Sequence, residues 1–242
     1  MKTSHNVPYG LHDECLLDTY LPDENIRAIF LYFHGGGLEG GDKSWDKAFI
    51  PDFIQNGYAV ISANYRTYPK YSYPDFLYDG AQAVKWVKEN FPTLPLFVGG
   101  SSAGGYISQM LCFDQKYLKW AGLEGDVVTG FVHDAGQPTA HFNVLSQKGI
   151  DSRRVIVDET APLYHVGTRD KYAPMLIIAS DNDMQNRLEQ THLLISTLKH
   201  FGHEDDIHFT LSHGNHCDYV GKVENGKSVF AQMILPFFDK YC

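Results

Sequence analysis

Short, largely apolar runs alternate with amphipathic stretches along most of this chain. Six such runs occur, at residues 26–33, 57–63, 94–98, 127–133, 175–179 and 207–211. The first five have no regular polar position, and the sixth alternates apolar with polar residues. The first five predict buried strands, and the sixth predicts a strand nearer a sheet edge. Because parallel strands need a crossover between them, usually a helix, the alternation predicts an α/β fold. Its central sheet should be mostly parallel, with helices on both faces.

Three stretches have the periodicity of helices. Apolar residues from Phe76 to Phe91 recur at spacings of three and four, and prolines stand where such a helix begins and ends. A second helix is predicted over residues 188–201, with Gly202 as its C-cap, and a third over 229–238. Residues 16–21 could add an antiparallel strand at the start of the sheet.

The composition limits the class of protein. With 43% hydrophobic, 20% charged and 14% aromatic residues, the chain resembles globular proteins and not disordered ones. Its length suits a single α/β domain over residues 1–242. The formal net charge is −9, and the largest basic cluster is the pair Arg153-Arg154, which argues against a nucleic-acid partner.

The sequence also suggests a compartment. No apolar core of a secretory signal follows Met1, and no apolar run reaches the roughly 18 residues of a membrane-spanning helix. The four cysteines are scattered, which favours reduced thiols. We therefore expect a cytoplasmic protein without a membrane partner. Its oligomeric state stays open, because the aromatic residues near the C-terminus could pack on the sheet or form a homodimer contact.

The pentapeptide GSSAG at residues 100–104 matches G-x-S-x-G, between a predicted strand and a helical stretch over 106–113. In that context the motif forms a tight turn that lifts a serine hydroxyl above the sheet. Gly100 and Gly104 lack Cβ atoms, so strand and helix can approach closely. For the pentapeptide alone, the alternative is a turn of small residues with no catalytic role. Its position between a predicted strand and a predicted helix favours a nucleophile at Ser102.

The sequence His34-Gly35-Gly36-Gly37 directly follows the first buried run. Consecutive glycines expose backbone N–H groups, which can form an oxyanion hole where negative charge develops on an oxygen. A flexible turn and a phosphate-binding loop are alternatives, but the Gly-Lys-Ser/Thr of a phosphate loop is missing. Together with the serine motif, the glycine loop indicates a serine hydrolase more strongly than either motif alone.

A serine nucleophile needs a base and an acid that orients the base, and in this architecture the acid precedes the histidine. Asp181 and Asp183 follow the run 175–179; we favour Asp183, because Asp181 could instead bond its own turn or cap a helix. His213 and His216 follow the last run, and we favour His216. No Cys or His set with ligand spacing lies nearby, so no metal is expected.

Further motifs occur in a recognisable order. They are Asn64-Tyr65-Arg66, Tyr68-Pro69, the aspartate of Leu77-Tyr78-Asp79, GSSAGG at 100–105 and SDND at 180–183. With these, the chain from about residue 16 to 238 resembles the α/β-hydrolase esterases and lipases that carry HGGG. These are the hormone-sensitive-lipase-like and acetyl- or feruloyl-esterase-like enzymes.

The resemblance implies roles for individual residues. Ser102 would be the nucleophile, His216 the general base and acid, and Asp183 the orienting acid. The backbone N–H groups of Gly36, Gly37 and Ala103 would bind the oxyanion. His34 would brace the glycine loop, and Arg66 would belong to a network beside it or be an isolated salt-bridge partner. No cofactor is implied.

Residues 136–174 form a long excursion between two predicted strands. Loops of this length in a compact domain are usually functional, and we expect this one to pass over the C-terminal edge of the sheet. Family members often carry a larger helical cap, so the resemblance implies an open site with a minimal cap or none. Phe142, Tyr164 and Trp45 could line an acyl or aryl pocket or belong to the core.

We therefore expect hydrolysis of carboxylic esters of short acyl chains, acetyl or feruloyl esters of sugars among them, with a small-molecule ester as the only partner. An amidase such as a formamidase would use the same residues. A non-catalytic binding protein of the same fold is the alternative from a different class, and a probe for active-site serines separates it from the enzymes.

Overall fold

The computed structural model describes residues 1–45 and 47–242 and has an eight-stranded sheet at its centre. The strands of this sheet are β1 (Lys2–Pro8), β2 (Leu16–Leu21), β3 (Ala28–Phe33), β4 (Tyr58–Ala63), β5 (Leu96–Ser101), β6 (Gly130–Asp134), β7 (Met175–Asn182) and β8 (Ile207–Asn215). A small hairpin pairs β9 (Val223–Glu224) with β10 (Lys227–Ser228).

Helices flank the sheet in chain order. They are α1 (Ile50–Gln55), α2 (Asp75–Asn90), α3 (Ala103–Phe113), α4 (Lys116–Trp120), α5 (Phe142–Gln147), α6 (Arg187–His200) and α7 (Val229–Tyr241). Short 3-10 helices lie at Lys47–Phe49, Pro162–His165 and Glu204–Asp206. Within the described part of the chain, none of the helices combines the length and apolar character needed to cross a bilayer.

The strand order is β1-β2-β4-β3-β5-β6-β7-β8. β2 pairs antiparallel with β1 and β4, and the other neighbours in the sheet are parallel. The segments that follow β3, β5, β6, β7 and β8 therefore leave the sheet at one edge, where ligands bind in such folds. The mostly parallel sheet with helices on both faces confirms the predicted fold class.

The sheet separates two apolar cores. Ile29, Leu31 and Phe33 of β3 pack with residues of α2, α3 and α6, whereas Phe30 and Tyr32 pack with residues of α1 and α7. Successive side chains of a strand point to opposite faces, so a strand covered on both sides has no polar position. That is why the predicted buried runs lack regular alternation.

The core under α7 is built from aromatic rings. Phe238 stacks on Phe97 of β5 with ring centroids 3.8 Å apart, and Phe230 and Phe237 are buried beside it. Full burial of each such ring contributes about 1.5–3 kcal/mol. Tyr241 packs against Phe237. The C-terminal aromatic residues thus pack on the sheet, and a homodimer stays a prediction.

The predicted elements all occur, with shifted ends. The serine motif's first residues continue β5 to Ser101, although glycines there suggested a turn, and β8 runs on to Asn215. β1 and α1 were not predicted; β1 is exposed and polar, and it forms through backbone pairing with β2. β8 is the last strand of the sheet and pairs with β7.

Candidate active site

Ser102 occupies a sharp turn between β5 and α3. Its backbone has φ 57° and ψ −112°, a conformation that costs a residue with a Cβ about 1–3 kcal/mol. Two hydrogen bonds hold it: the N–H of Ser102 donates to the carbonyl of Asp134 at 2.8 Å, and the N–H of Tyr106 donates to the carbonyl of Ser102 at 2.9 Å. The serine hydroxyl is thereby raised at the carboxyl ends of the strands.

Glycines on either side of Ser102 allow this turn. A Cβ on Gly100 or on Gly104 would collide with the backbone carbonyl oxygen of Phe33, at the end of β3. α3 can therefore lie against β3 only because these two positions carry no side chain. The close approach expected from the sequence motif is present.

The three residues predicted to act on the substrate lie in hydrogen-bonding contact. Ser102 Oγ lies 2.8 Å from His216 Nε2, and His216 Nδ1 lies 2.5 Å from Asp183 Oδ1. The carboxylate accepts from Nδ1–H, which leaves Nε2 to accept from the serine hydroxyl. The Asp183 side chain is 1% exposed and that of His216 is 22% exposed.

The competing acid and base candidates form a separate pair. His213 Nδ1 lies 2.6 Å from Asp181 Oδ2, and the N–H of Gly214 donates to Asp181 Oδ1 at 3.0 Å. The hydrogen bond from His213 lowers the pKa of the Asp181 carboxyl. The His213 side chain is 91% exposed. This pair lies at the surface, and the structure brings Asp183 and His216, not Asp181 and His213, to Ser102.

The glycine loop lies beside the nucleophile. A Cβ on Gly35 would stand 3.4 Å from the Cβ of Ser102. Gly36 has φ 121°, and a Cβ there would collide with the carbonyl oxygen of Gly40, whose N–H donates to the carbonyl of Gly36 at 3.1 Å. Gly37 has φ 67°. The turn of the loop back onto Gly40 is possible only because Gly36 lacks a side chain.

Three backbone N–H groups at this point are free to bind a ligand. Among the described residues, no acceptor faces the N–H of Gly36 or of Gly37. Ala103 is the first residue of α3, where an N–H has no acceptor within the helix. These are the three donors that the sequence predicted for an oxyanion.

The loop is held from both sides. Below it, His34 Nδ1 lies 2.6 Å from the carbonyl of Gly35, and the imidazole stacks on Tyr65 with ring centroids 4.5 Å apart. Burial lowers the pKa of His34 to about 4, so its ring is neutral. Above it, the side-chain amide of Asn143 donates to the carbonyl of Gly37. His34 thus has the bracing position that the resemblance implied.

Arg66 forms a buried ion pair. Its Nε and Nη2 lie 2.9 and 2.8 Å from Asp79 Oδ1, and its backbone N–H donates to Asp79 Oδ2 at 2.8 Å. Arg66 also contacts Asp75, with Nη1 3.3 Å from the carboxylate and Nη2 donating to the carbonyl at 3.1 Å. The arginine thus joins the segment after β4 to α2 and is not the isolated salt-bridge partner considered from the sequence. With Tyr78 and Trp120 it lines a cavity of about 630 Å³, which none of the predicted catalytic residues borders.

Asp134 is a site residue that the sequence analysis missed. It ends β6, is fully buried, and accepts a hydrogen bond from the hydroxyl of Tyr219, three residues after His216. Its carbonyl also holds the N–H of Ser102. Burial raises the pKa of this carboxyl to about 7. An aspartate at the end of the strand next to the nucleophile was the available signal.

A second cavity, of about 490 Å³, adjoins the glycine loop through Phe142 and Asp183 through Met184, although Ser102, Asp183 and His216 are not in its lining. It is lined by Gln137, Phe142, Ser152, Arg153, Arg154, Val155, Met184, Gln185, Asn186, Arg187 and Gln190. Of the three aromatic residues suggested for a pocket, Phe142 lines it. Tyr164 and Trp45 are 57% and 52% exposed and do not border it.

The chain is similar to known proteins in sequence and in fold. A family model described as an alpha/beta hydrolase fold matches residues 30–204. A probable isoprenylcysteine alpha-carbonyl methylesterase of Arabidopsis thaliana is 26% identical over 124 residues, covering 48% of this chain and 29% of the relative. A versiconal hemiacetal acetate esterase of Aspergillus parasiticus is 38% identical over 81 residues, covering 33% of this chain and 26% of the relative. The matches thus span less than a third of these curated relatives.

Solved structures share the fold over the whole chain. The crystal structure of esterase B from Lactobacillus rhamnosis superposes with a TM-score of 0.77, covering 99% of this chain and 85% of that one. The two sequences are 18% identical. The likeness therefore concerns the architecture.

Proposed function

This chain belongs to the α/β hydrolase fold family, and we propose that it is a carboxylesterase-type serine hydrolase acting on esters of short acyl chains. One observation carries the proposal: Ser102 Oγ, His216 and Asp183 form a continuous chain of hydrogen bonds, 2.8 and 2.5 Å long, beside the glycine loop. A serine whose hydroxyl faces an oriented imidazole is the arrangement that activates it as a nucleophile. The named esterases among the relatives support the same class.

The reaction would proceed in two steps. His216 Nε2 takes the proton of Ser102 as Oγ attacks the ester carbonyl, and the protonated imidazole then gives that proton to the departing alcohol. Water, activated by the same histidine, releases the acid from the acyl-serine. Asp183 holds Nδ1–H in place and stabilises the charged imidazole. Every group comes from the protein, so the reaction needs no cofactor.

The tetrahedral intermediate needs donors for its oxygen. The N–H groups of Gly36, Gly37 and Ala103 would serve, because the first two have no acceptor among the described residues and the third begins a helix. One such donor is worth about 100- to 1,000-fold in rate. The hydrogen bond from Asn143 to the carbonyl of Gly37 fixes the orientation of the peptide groups in this loop.

The lining of the adjoining cavity favours short, polar substrates. Apart from Phe142, Val155 and Met184, its residues are polar or charged. Hydroxyl and carbonyl groups of a substrate can hydrogen-bond to these polar side chains. Acetyl groups or feruloyl groups on sugars fit this lining, as the motif resemblance implied.

A fluorophosphonate probe tests the activated serine. We expect one adduct by intact mass on the wild-type protein and none on Ser102→Ala, with Ser101→Ala as the matched control that still reacts. Turnover of p-nitrophenyl acetate should exceed that of the octanoate, and Ser102→Ala should reduce kcat by roughly 10⁶-fold.

The outcomes separate the alternatives. A folded protein that neither forms an adduct nor hydrolyses any ester would be the non-catalytic binding protein instead. An adduct that persists in Ser102→Ala and disappears in Ser101→Ala would move the nucleophile to the neighbouring serine. Faster cleavage of p-nitroacetanilide or a formanilide than of the matched ester would make the protein an amidase.

A further inference from the structure

The cavity of about 490 Å³ has an unusual charge for this protein. Three arginines line it, Arg153, Arg154 and Arg187, and its lining includes no aspartate or glutamate. The whole chain has 29 acidic and 20 basic residues and a net charge of −9. An acidic protein repels anions at long range, so a cavity lined by three arginines and by no carboxylate stands out in this chain.

The cavity adjoins the catalytic groups on two sides. Phe142 lines it, and the tip of its ring lies 3.8 Å from where a Cβ on Gly37 would stand. Met184 lines it as well and follows Asp183 directly, with its N–H donating to the Asp183 carboxylate at 2.6 Å. A ligand group in the cavity is therefore next to the glycine loop on one side and next to the acid on the other.

Arg187 is a buried cation with neutral partners. Its side chain donates to the carbonyl of Ala135, to Gln137 Oε1 at 3.3 Å and to the sulfur of Met184 at 3.9 Å. It is 3% exposed, and no carboxylate of the described residues lies within 4.0 Å of it. Asp183, the acid whose charge acts on it, is hydrogen-bonded to His216. Buried charges in proteins are normally paired.

Arg154 is also unpaired, whereas Arg153 is not. Arg153 makes a two-pronged contact with Asp151, 2.5 Å at the closest. Arg154 is exposed at the cavity rim and forms no ion pair with any residue that the structure describes. A guanidinium group binds carboxylates through paired N–H donors in a fork. Two cations of this cavity, one buried and one at the rim, thus form no ion pair with a described residue, although Asp183 and Asp151 lie near enough to act on them.

We propose that this cavity binds a carboxylate on the substrate, so that the preferred substrates are esters carrying a second, anionic group. Arg154 and Arg187 would hold the carboxylate, and the side-chain amides of Gln137, Asn186 and Gln190 would donate to its oxygens or to neighbouring hydroxyls. The inference rests on the proposed esterase function and names the class of ester.

Matched substrates test this. Monoethyl adipate carries the charge on the acyl side and is compared with the ethyl ester of adipamic acid, in which a neutral amide replaces the carboxylate. On the alcohol side, para-acetoxybenzoate is compared with para-acetoxybenzamide. We expect kcat/KM to favour the anion in at least one pair by about 10- to 100-fold, because charge-assisted hydrogen bonds are the stronger ones. Arg154 is exposed, so added salt should reduce the ratio.

Variants assign the effect to the cavity. Arg154→Gln should reduce the anion-to-amide ratio by about tenfold. Lys85→Gln removes the same charge from α2, where Lys85 pairs with Glu89, and should leave the ratio as in the wild type. Arg153→Gln, which removes an arginine already paired, should change the ratio less than Arg154→Gln does.

The results distinguish this inference from the function on which it rests. If neutral esters are hydrolysed but the anion-to-amide ratio of kcat/KM is one or less in both substrate pairs, the carboxylate site is refuted. The esterase proposal then still stands. A high ratio that survives Arg154→Gln would also refute the carboxylate site. If no ester is hydrolysed and no phosphonate adduct forms, the esterase proposal itself fails.

Discussion

Replacing Asp134 by asparagine should make the protein more stable at alkaline pH. Asp134 is fully buried at the end of β6, and its Oδ2 has no hydrogen-bond partner among the described residues. Asparagine has nearly the same shape as the protonated acid and can accept the hydroxyl hydrogen of Tyr219 in the same way. The variant therefore removes the ionisation and keeps most of the packing.

The size of the effect follows from the pKa. Burial raises the pKa of Asp134 from 3.8 to about 7, so between these values the folded protein holds a proton that the unfolded chain has lost. Wild-type stability then falls as the pH rises through this window and levels off above pH 7. A pKa difference of this size corresponds to about 4 kcal/mol. The asparagine variant does not incur this loss.

Urea unfolding of both proteins at about pH 4.5 and about pH 8.5 measures the difference. Other groups, such as the buried His34, titrate in both proteins and cancel when one stability is subtracted from the other. We expect the variant's advantage to grow by about 3 kcal/mol between the two conditions. A difference that stays constant with pH, or that grows in favour of the wild type, would refute the assignment of this ionisation to Asp134.

Three further changes test the surroundings of the site. Tyr219→Phe removes the donor to Asp134 and should lower stability by about 1–3 kcal/mol, more above pH 7 than below it, as shown by urea titrations at both ends of the range. Gly104→Ala should cost at least about 2–3 kcal/mol because the methyl group meets a rigid carbonyl, whereas Gly221→Ala, which meets nothing within 4 Å, serves as its control in thermal unfolding. Asp79→Asn leaves its arginine with only the more exposed Asp75 at 3.3 Å and should cost about 3 kcal/mol, and a smaller loss when that arginine is also replaced by methionine would identify the ion pair as the cause.

The serine turn and the glycine loop could be predicted because each depends only on residues that are neighbours in the sequence. A turn that passes from strand to helix without side chains must carry glycines at fixed offsets from the serine, and those glycines are visible in the sequence. The same holds for the order of strands and helices, which follows from apolar periodicity. Nothing beyond neighbouring residues is needed to recognise these features.

The choice between Asp181 and Asp183 depends on contacts between parts of the chain that are distant in the sequence. Residues two apart on a strand share a face, so strand alternation does not separate two aspartates at the end of β7. Their partners are set by the path of the chain after β7 and β8, which gives His213 to one and His216 to the other. The sequence ranked them, and only the three-dimensional contacts distinguish them.

Other site residues depend on contacts between distant parts of the chain. Asn143 reaches Gly37 across 106 positions, and Arg187 reaches the carbonyl of Ala135 across 52. In the sequence, Arg187 looks like a solvated residue in the first turn of a helix. Its burial depends on contacts with Ala135 and Gln137, which follow β6, and no local pattern carries that information.

The proposed base, His216, directly follows β8, which is one of the two edge strands of the described sheet. β8 lies at the end of the described sheet, and Phe209 and Leu211 within it are 40% and 42% exposed. Segments with such sparse burial open locally at a lower free energy than the central strands. His216 should therefore leave its place before the molecule as a whole denatures. On gradual heating, the capacity for ester turnover would vanish while circular dichroism still reported an intact sheet, and amide exchange would be faster along β8 than along the central strands β3 and β5.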